Sequence, residues 1–181
     1  MAKYFTLAQC LYSNTAQQKG IKNVPGIDGE IFPLTGYQIK ENINKTMRYC
    51  VNPAKDVFPG LIITSMYRSG KLNQAIGGSP TSQHCFGMAA DIQDTDGTAT
   101  STIFNWLVDN LPTWDQVIWE FPERGEKSWI HISYNEQRNR KRTTLASKSD
   151  YIHNQYGGSR NGSYQHNIKR AYSNYISPNF A

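Results

Sequence analysis

Residues 82–91 read SQHCFGMAAD and residues 129–133 read WIHIS. His84 and Asp91 stand seven apart across Gly87, and His131 follows forty residues later in an alternating apolar pattern of strand type. Two imidazoles and one carboxylate form a ligand set that zinc accepts, and three protein ligands leave the fourth tetrahedral position for water. That open position is what separates a catalytic zinc from a structural one. A turn at Gly87 lets His84 and Asp91 converge, and the small Ala89 and Ala90 let the chain pack closely beneath them. Taken singly, each piece has a plainer reading. A His and an Asp at this spacing also occur as a surface pair, and a lone histidine between two isoleucines as a half-buried strand residue.

Around these two stretches the periodicities predict an α+β domain, with helices packed on a small, largely antiparallel sheet. Residues 61–64 (LIIT), bounded by Gly60 and Ser65, read as a buried strand, and residues 89–93 as a second. Residues 116–121 and 128–134 read as two more, joined by the hairpin turn PERGEK. Residues 35–51 carry Ile39, Ile43, Met47 and Val51 every four positions, a helical spacing closed by Pro53. Residues 98–111 carry Ile103, Trp106, Leu107 and Leu111 at helical spacing. Residues 15–25 read as a short helix or turn followed by a loop, and residues 68–83 as a Gly- and Ser-rich loop with at most one helical turn near 72–76. A loop of that length inside a compact domain is commonly functional.

A chain of 181 residues with 38% apolar and 18% charged residues can bury a core and is not disordered throughout. Its formal charge of +5 is unevenly spread. Residues 132–181 hold eight basic residues against Glu136 and Asp150, so residues 1–131 are left with −1. Basicity thus describes the end of the chain, where an anionic partner would be met. The three cysteines, Cys10, Cys50 and Cys85, have neither the number nor the spacing of a disulfide framework or a thiolate zinc site. The opening MAKYFTLAQCLYSNT lacks the apolar core of an export signal, and no run is long enough for a spanning helix. The expectation is a protein made in a cytoplasm.

Taken together, these motifs resemble the zinc D-Ala-D-Ala carboxypeptidase-like peptidoglycan peptidases, which share the hedgehog-type zinc-peptidase fold. The resemblance covers residues 4–147 and is closest to the small bacteriophage versions. It rests on FTLAQCLYSNTAQQKGIKNVP, ITSMYRSGKLNQAIGGSPTSQHCFGMAADIQ, QVIWEF, SWIHISY and NRKR. It implies that His84, Asp91 and His131 hold Zn2+. Arg68, in the YRS element, resembles the family arginine that binds a peptide carboxylate or stabilises the oxyanion; its other reading is a structural salt bridge. Ser82 and Asn73 are implied at the substrate side, Ser82 orienting the ligand loop or the substrate, Asn73 with Gly77 and Gly78 shaping that loop. Zinc hydrolysis also needs a proton carrier. One branch of the family places a Glu three residues before the last His, where this chain has Ser128. Glu120 is the expected replacement, with Glu123 and Glu126 as alternatives.

The implied function is hydrolysis of peptide bonds in bacterial peptidoglycan, as a phage endolysin or a hydrolase carried in the virion. A non-catalytic zinc-binding module of the same fold is the alternative. Cys85 reads as a small buried residue, and His153 and His166 as solvated. RNRKR at 138–142 could suggest nucleic acid, but no aromatic and basic interleaving of a nucleic-acid fold accompanies it, so a structural or wall-attracting role is expected. Residues 1–147 are read as the peptidase domain. Residues 148–181, rich in Tyr, Asn and Gly, are read as an extension that cannot build its own core, either flexible or docked to a partner protein or an anionic wall polymer.

Overall fold

The computed structural model describes residues 3–27 and 34–147; the extension expected over 148–181, with His153 and His166, lies outside the described residues. Among the described residues, five strands form one sheet: β1 (Leu61–Ser65), β2 (Ala89–Asp94), β3 (Gln116–Glu120), β4 (Trp129–Ser133) and β5 (Arg142–Ala146), in spatial order 1-2-4-3-5. All neighbours are antiparallel except β3 and β5, which run parallel. This is the expected α+β architecture, with strand β5 added to it. Residues 142–146 (RTTLA) follow a basic cluster, and their single apolar pair carries too short a period to announce a strand.

Among the described residues, six α-helices accompany the sheet: α1 (Leu7–Leu11), α2 (Asn14–Gln18), α3 (Gly36–Thr46), α4 (Asn52–Val57), α5 (Gly70–Ala75) and α6 (Thr100–Asn110). Helix α3 starts at a reciprocal cap. Gln38 N–H donates to Thr35 Oγ1 at 3.2 Å, and Thr35 N–H donates to Gln38 Oε1 at 2.9 Å. The same Thr-x-x-Gln device, Thr6 with Gln9, opens α1.

Pro53 does not end the helix that begins at residue 36, contrary to the expectation from sequence. A proline removes one N–H and crowds the carbonyl four residues back. Here the chain widens into a π-turn over Met47–Val51, where Asn52 N–H reaches back five residues to Met47 O, and Pro53 falls in the first turn of α4. The helical rod therefore runs on to Val57 with its buried side intact: Ile39, Ile43, Met47, Cys50, Val51 and Ala54 all lie in the core.

Alternation along the strands divides the sheet into two faces. Ala90, Ile92, Val117, Ile130 and Ile132 turn to the helices and join Ile103 and Leu107 of α6 in the core. The opposite face carries mostly polar side chains in register, with Ile118 among them. Ser65 pairs with Asp91, Asp91 with His131, His131 with Ile118, and Ile118 with Thr144, one row across all five strands. A β-bulge between Ile63 and Ser65 is what brings Ser65 opposite Asp91. Among the described residues, no helix is long and apolar enough to cross a membrane.

Candidate metal centre

Two of the three candidate ligands are strand residues placed by register, and the third is delivered from above. Asp91 on β2 and His131 on β4 are direct cross-strand partners on the polar face. His84 sits in a 3₁₀ turn, Gln83–Phe86, that closes the long loop before β2. Gly87 then takes a left-handed φ of 70°, which reverses the chain into the strand. A Cβ at Gly87 would meet the Ile39 carbonyl oxygen at 2.6 Å, so the turn needs glycine both for its dihedral and for its space.

The turn is fastened on several sides. Arg68 N–H donates to His84 O at 3.2 Å, Asn42 Nδ2 to Phe86 O at 2.9 Å, and Thr46 Oγ1 to Gly87 O at 3.2 Å. Asn23 ties the N-terminal segment to the same region: its Nδ2 donates to Leu11 O and Tyr67 O, and its Oδ1 accepts from Ser69 N–H at 2.7 Å.

These constraints bring three donor atoms together. His84 Nε2 lies 3.1 Å from Asp91 Oδ1 and 3.1 Å from His131 Nδ1, and His131 Nδ1 lies 3.2 Å from Asp91 Oδ1. Ligands of a tetrahedral ion with bonds of about 2.0 Å stand about 3.3 Å apart, so the triangle has the size of one face of such a site. His84 Nδ1–H donates to Met66 O at 2.6 Å, which leaves the lone pair on Nε2, the atom facing the other two. Burial, and then the Arg68 guanidinium, push the His84 imidazole down to about 4, so it is neutral and able to ligate at pH 7. Burial alone would raise the Asp91 carboxyl. The His84 ring, hydrogen bonding with His131 and His84, and Arg68 hold it well below the usual carboxylate range. All three residues are buried, and the cluster fits a metal ion.

The chain was compared with known proteins. The family model described as Peptidase M15 matches residues 3–133, a span that contains all three donors. The chain belongs to the peptidase M15 family. No curated protein matches it. Membership makes the domain a peptidase, and the His84, Asp91 and His131 cluster is its candidate metal site.

Around that cluster the other expected site residues fall as follows. Arg68 donates from Nη2 to Asp91 Oδ2 at 2.5 Å and from Nε to Ser65 Oγ at 2.9 Å. It is thus the partner of the ligand carboxylate's second oxygen, largely buried, with 17% of its side chain exposed. Glu120 closes β3 directly opposite Trp129, on the His131 face of the sheet and one side-chain row away, a diagonal separation of about 7–8 Å. Glu123 lies exposed on the following turn. Ser128 is buried on the helix side, accepting from Trp119 Nε1 at 3.0 Å and donating to Gly125 O at 2.5 Å. An acid at position 128 would therefore face away from the three donors.

Ser82 is half-exposed, and its carbonyl accepts Cys85 N–H at 3.1 Å to close the ligand turn. Asn73 is fully buried, donates from Nδ2 to Ser79 O at 2.8 Å, and accepts Gly78 N–H on its carbonyl at 2.8 Å, contacts that shape the loop from inside. Cys85 packs into the core.

One group of residues escaped sequence reasoning. Asp115 is fully buried at the head of β3 and accepts from Arg140 Nε and Nη2 at 2.7 Å each, from Arg140 N–H at 3.2 Å, and from Gln83 Nε2 at 2.7 Å. Gln83 adjoins the candidate ligand His84. Asp115 N–H donates to Ser133 O at 2.7 Å, two residues past His131. This clamp therefore links both histidine-bearing segments to the RNRKR cluster and gives Arg140 the structural one of the two roles expected for it; what the sequence did not name is its partner, Asp115.

Proposed function

We propose that the domain is a zinc-dependent peptidase that cuts peptide bonds in the stem peptide or cross-bridge of bacterial peptidoglycan, as a bacteriophage endolysin or virion-associated wall hydrolase. The observation that carries this reading is the triangle of His84, Asp91 and His131 donors in a chain of the M15 family. Two imidazoles and a carboxylate are borderline nitrogen and hard oxygen donors, a set suited to zinc, with a coordination position left over for reaction. Zinc, when bound there, supplies a Lewis acid for the peptide carbonyl and lowers the pKa of water near it.

In this proposal Glu120 takes the proton from the attacking water and returns it to the leaving amine. Glu120 stands one row from His131 on the same face, about 7–8 Å away, the span that a water and a scissile peptide would occupy. Arg68 keeps Asp91 ionised and oriented, and its remaining N–H groups serve the carbonyl oxygen or a peptide carboxylate of the substrate. Ser82 and Asn73 support the loop against which the peptide lies. Residues 148–181, with four basic residues against Asp150, hold the enzyme to an anionic wall polymer or a partner protein.

Digestion of purified peptidoglycan, read by release of new amino termini and mass spectrometry of the fragments, tests the proposal. Release by the zinc-loaded protein and none by its Glu120→Gln variant is expected. Equal release by both would remove Glu120 from the mechanism, and none by either would remove peptidoglycan as the substrate.

A further inference from the structure

The open end of the polar face, away from the loop that carries His84, holds a group that the proposed chemistry does not use. Trp129 stands on the His131 face two residues along β4, about 7 Å away, directly opposite Glu120. At the end of β3 the chain enters a left-handed conformation at Phe121 (φ 56°, ψ 53°), which a bulky residue rarely adopts. Two hydrogen bonds hold it there: Phe121 N–H to Ala146 O at 2.7 Å, and Arg124 N–H to Phe121 O at 2.9 Å. Strain of this kind persists where the surroundings over-determine it, and it clusters at ligand clamps. Its effect here is to lay the Phe121 ring against Trp129, with centroids 4.8 Å apart. The Arg124 guanidinium covers the pair, 4.3 Å from the Phe121 centroid and 5.9 Å from that of Trp129.

A guanidinium seated on aromatic rings is held by its flat face, so its planar fork of N–H donors is presented edgewise. Arg124 is exposed. That fork matches a carboxylate in two-point geometry, which a point charge such as Lys127 on the same turn does not. We infer that Arg124, mounted on Phe121 and Trp129, is a carboxylate-recognising subsite that takes an acidic residue of the peptide substrate beside the bond to be cut. The Arg124 guanidinium lies 5.9 Å from the Trp129 ring, and Trp129 stands about 7 Å along β4 from His131, which sets the acid close to the scissile bond. The inference rests on the peptidase reading and adds a substrate class to it.

The test uses the full-length, zinc-loaded protein and synthetic peptides of peptidoglycan stem sequence. A single acid is placed at each position within two residues of the cleaved bond, each peptide being paired with its carboxamide counterpart. At one position the wild type is expected to prefer the carboxylate in kcat/KM by about tenfold, carried by KM. Arg124→Ala is expected to abolish that preference, and Arg124→Lys to restore only part of it. A purely structural role for Arg124 would lower turnover of both members of each pair equally. Cleavage with no preference in the wild type, or a preference that survives in Arg124→Ala, overturns the subsite and leaves the peptidase reading standing. Failure of the wild type to cleave any peptide overturns the peptidase reading on which the subsite rests.

Discussion

Replacing Asp115 with alanine probes whether the buried clamp holds the ligand turn in place. The change removes a fully buried carboxylate that receives three side-chain hydrogen bonds of 2.7 Å. Removing one partner of a buried ion pair costs about 3–5 kcal/mol, because the other is left uncompensated. Here Arg140 keeps 32% of its side chain in water, which lowers its share. Gln83 is buried, and losing the acceptor of its Nε2 adds about 1–3 kcal/mol. The expected loss is about 4 kcal/mol, read by urea unfolding of the metal-free protein, with a fall in Tm of roughly 10 °C for a domain of this size. Gln83→Leu alone is expected to lose about 1–2 kcal/mol, and to couple with Asp115→Ala in a double-mutant cycle. Because Gln83 adjoins His84, Gln83→Leu is also expected to weaken zinc binding several-fold, measured by chelator competition. A loss below about 1 kcal/mol in Asp115→Ala, or zinc affinity unmoved in Gln83→Leu, would refute the claim that the clamp positions the site.

Three further expectations follow from single residues. His84 is neutral when folded, with a pKa of about 4, while the unfolded chain titrates near 6.5, so the unfolded state binds the extra proton between those values. Stability of the metal-free protein is therefore present in full above pH 6.5 and falls on acidification through that window, by roughly 3 kcal/mol. Unfolding curves at pH 7, 5.5 and 4.5 compared with those of His84→Gln measure it, and parallel curves would contradict it. Gly87→Ala combines a left-handed φ with a contact of 2.6 Å to the Ile39 carbonyl, and is expected to lose more than about 2 kcal/mol in the same assay. Glu120→Gln is expected to leave the unfolding midpoint within about 0.5 kcal/mol of wild type, because the residue is only half-buried at a strand end, while kcat falls by at least a hundredfold.

Much of this site was legible in the sequence, because its donors obey local rules. Strand alternation in WIHIS turns His131 and Trp129 to one face. The small residues of GMAAD allow the reversal that returns Asp91 beneath His84. Two features depended on contacts distant in sequence and were not legible. Asp115 and Arg140 are 25 positions apart, and the structural role expected for RNRKR has no visible partner until one of its guanidiniums is seen on a buried carboxylate. Strand β5 earns its place by parallel pairing with β3, not by any period of its own. Pro53 misled for a different reason: the rule that proline stops a helix holds for an α-helical ladder, and the π-turn before it relaxes the steric clash. Helix α1, not among the expected elements, opens on a Thr6 and Gln9 capping pair.

The central claim is that His84, Asp91 and His131 form a zinc site on which peptide hydrolysis depends. Zinc titration of the chelator-stripped protein, with bound metal and peptidoglycan turnover measured on the same samples, tests it most directly. One zinc per chain, turnover rising in proportion to occupancy, and loss of both in His131→Ala are predicted. Full turnover from protein holding less than about a tenth of an equivalent of metal, or undiminished by His131→Ala, would contradict it.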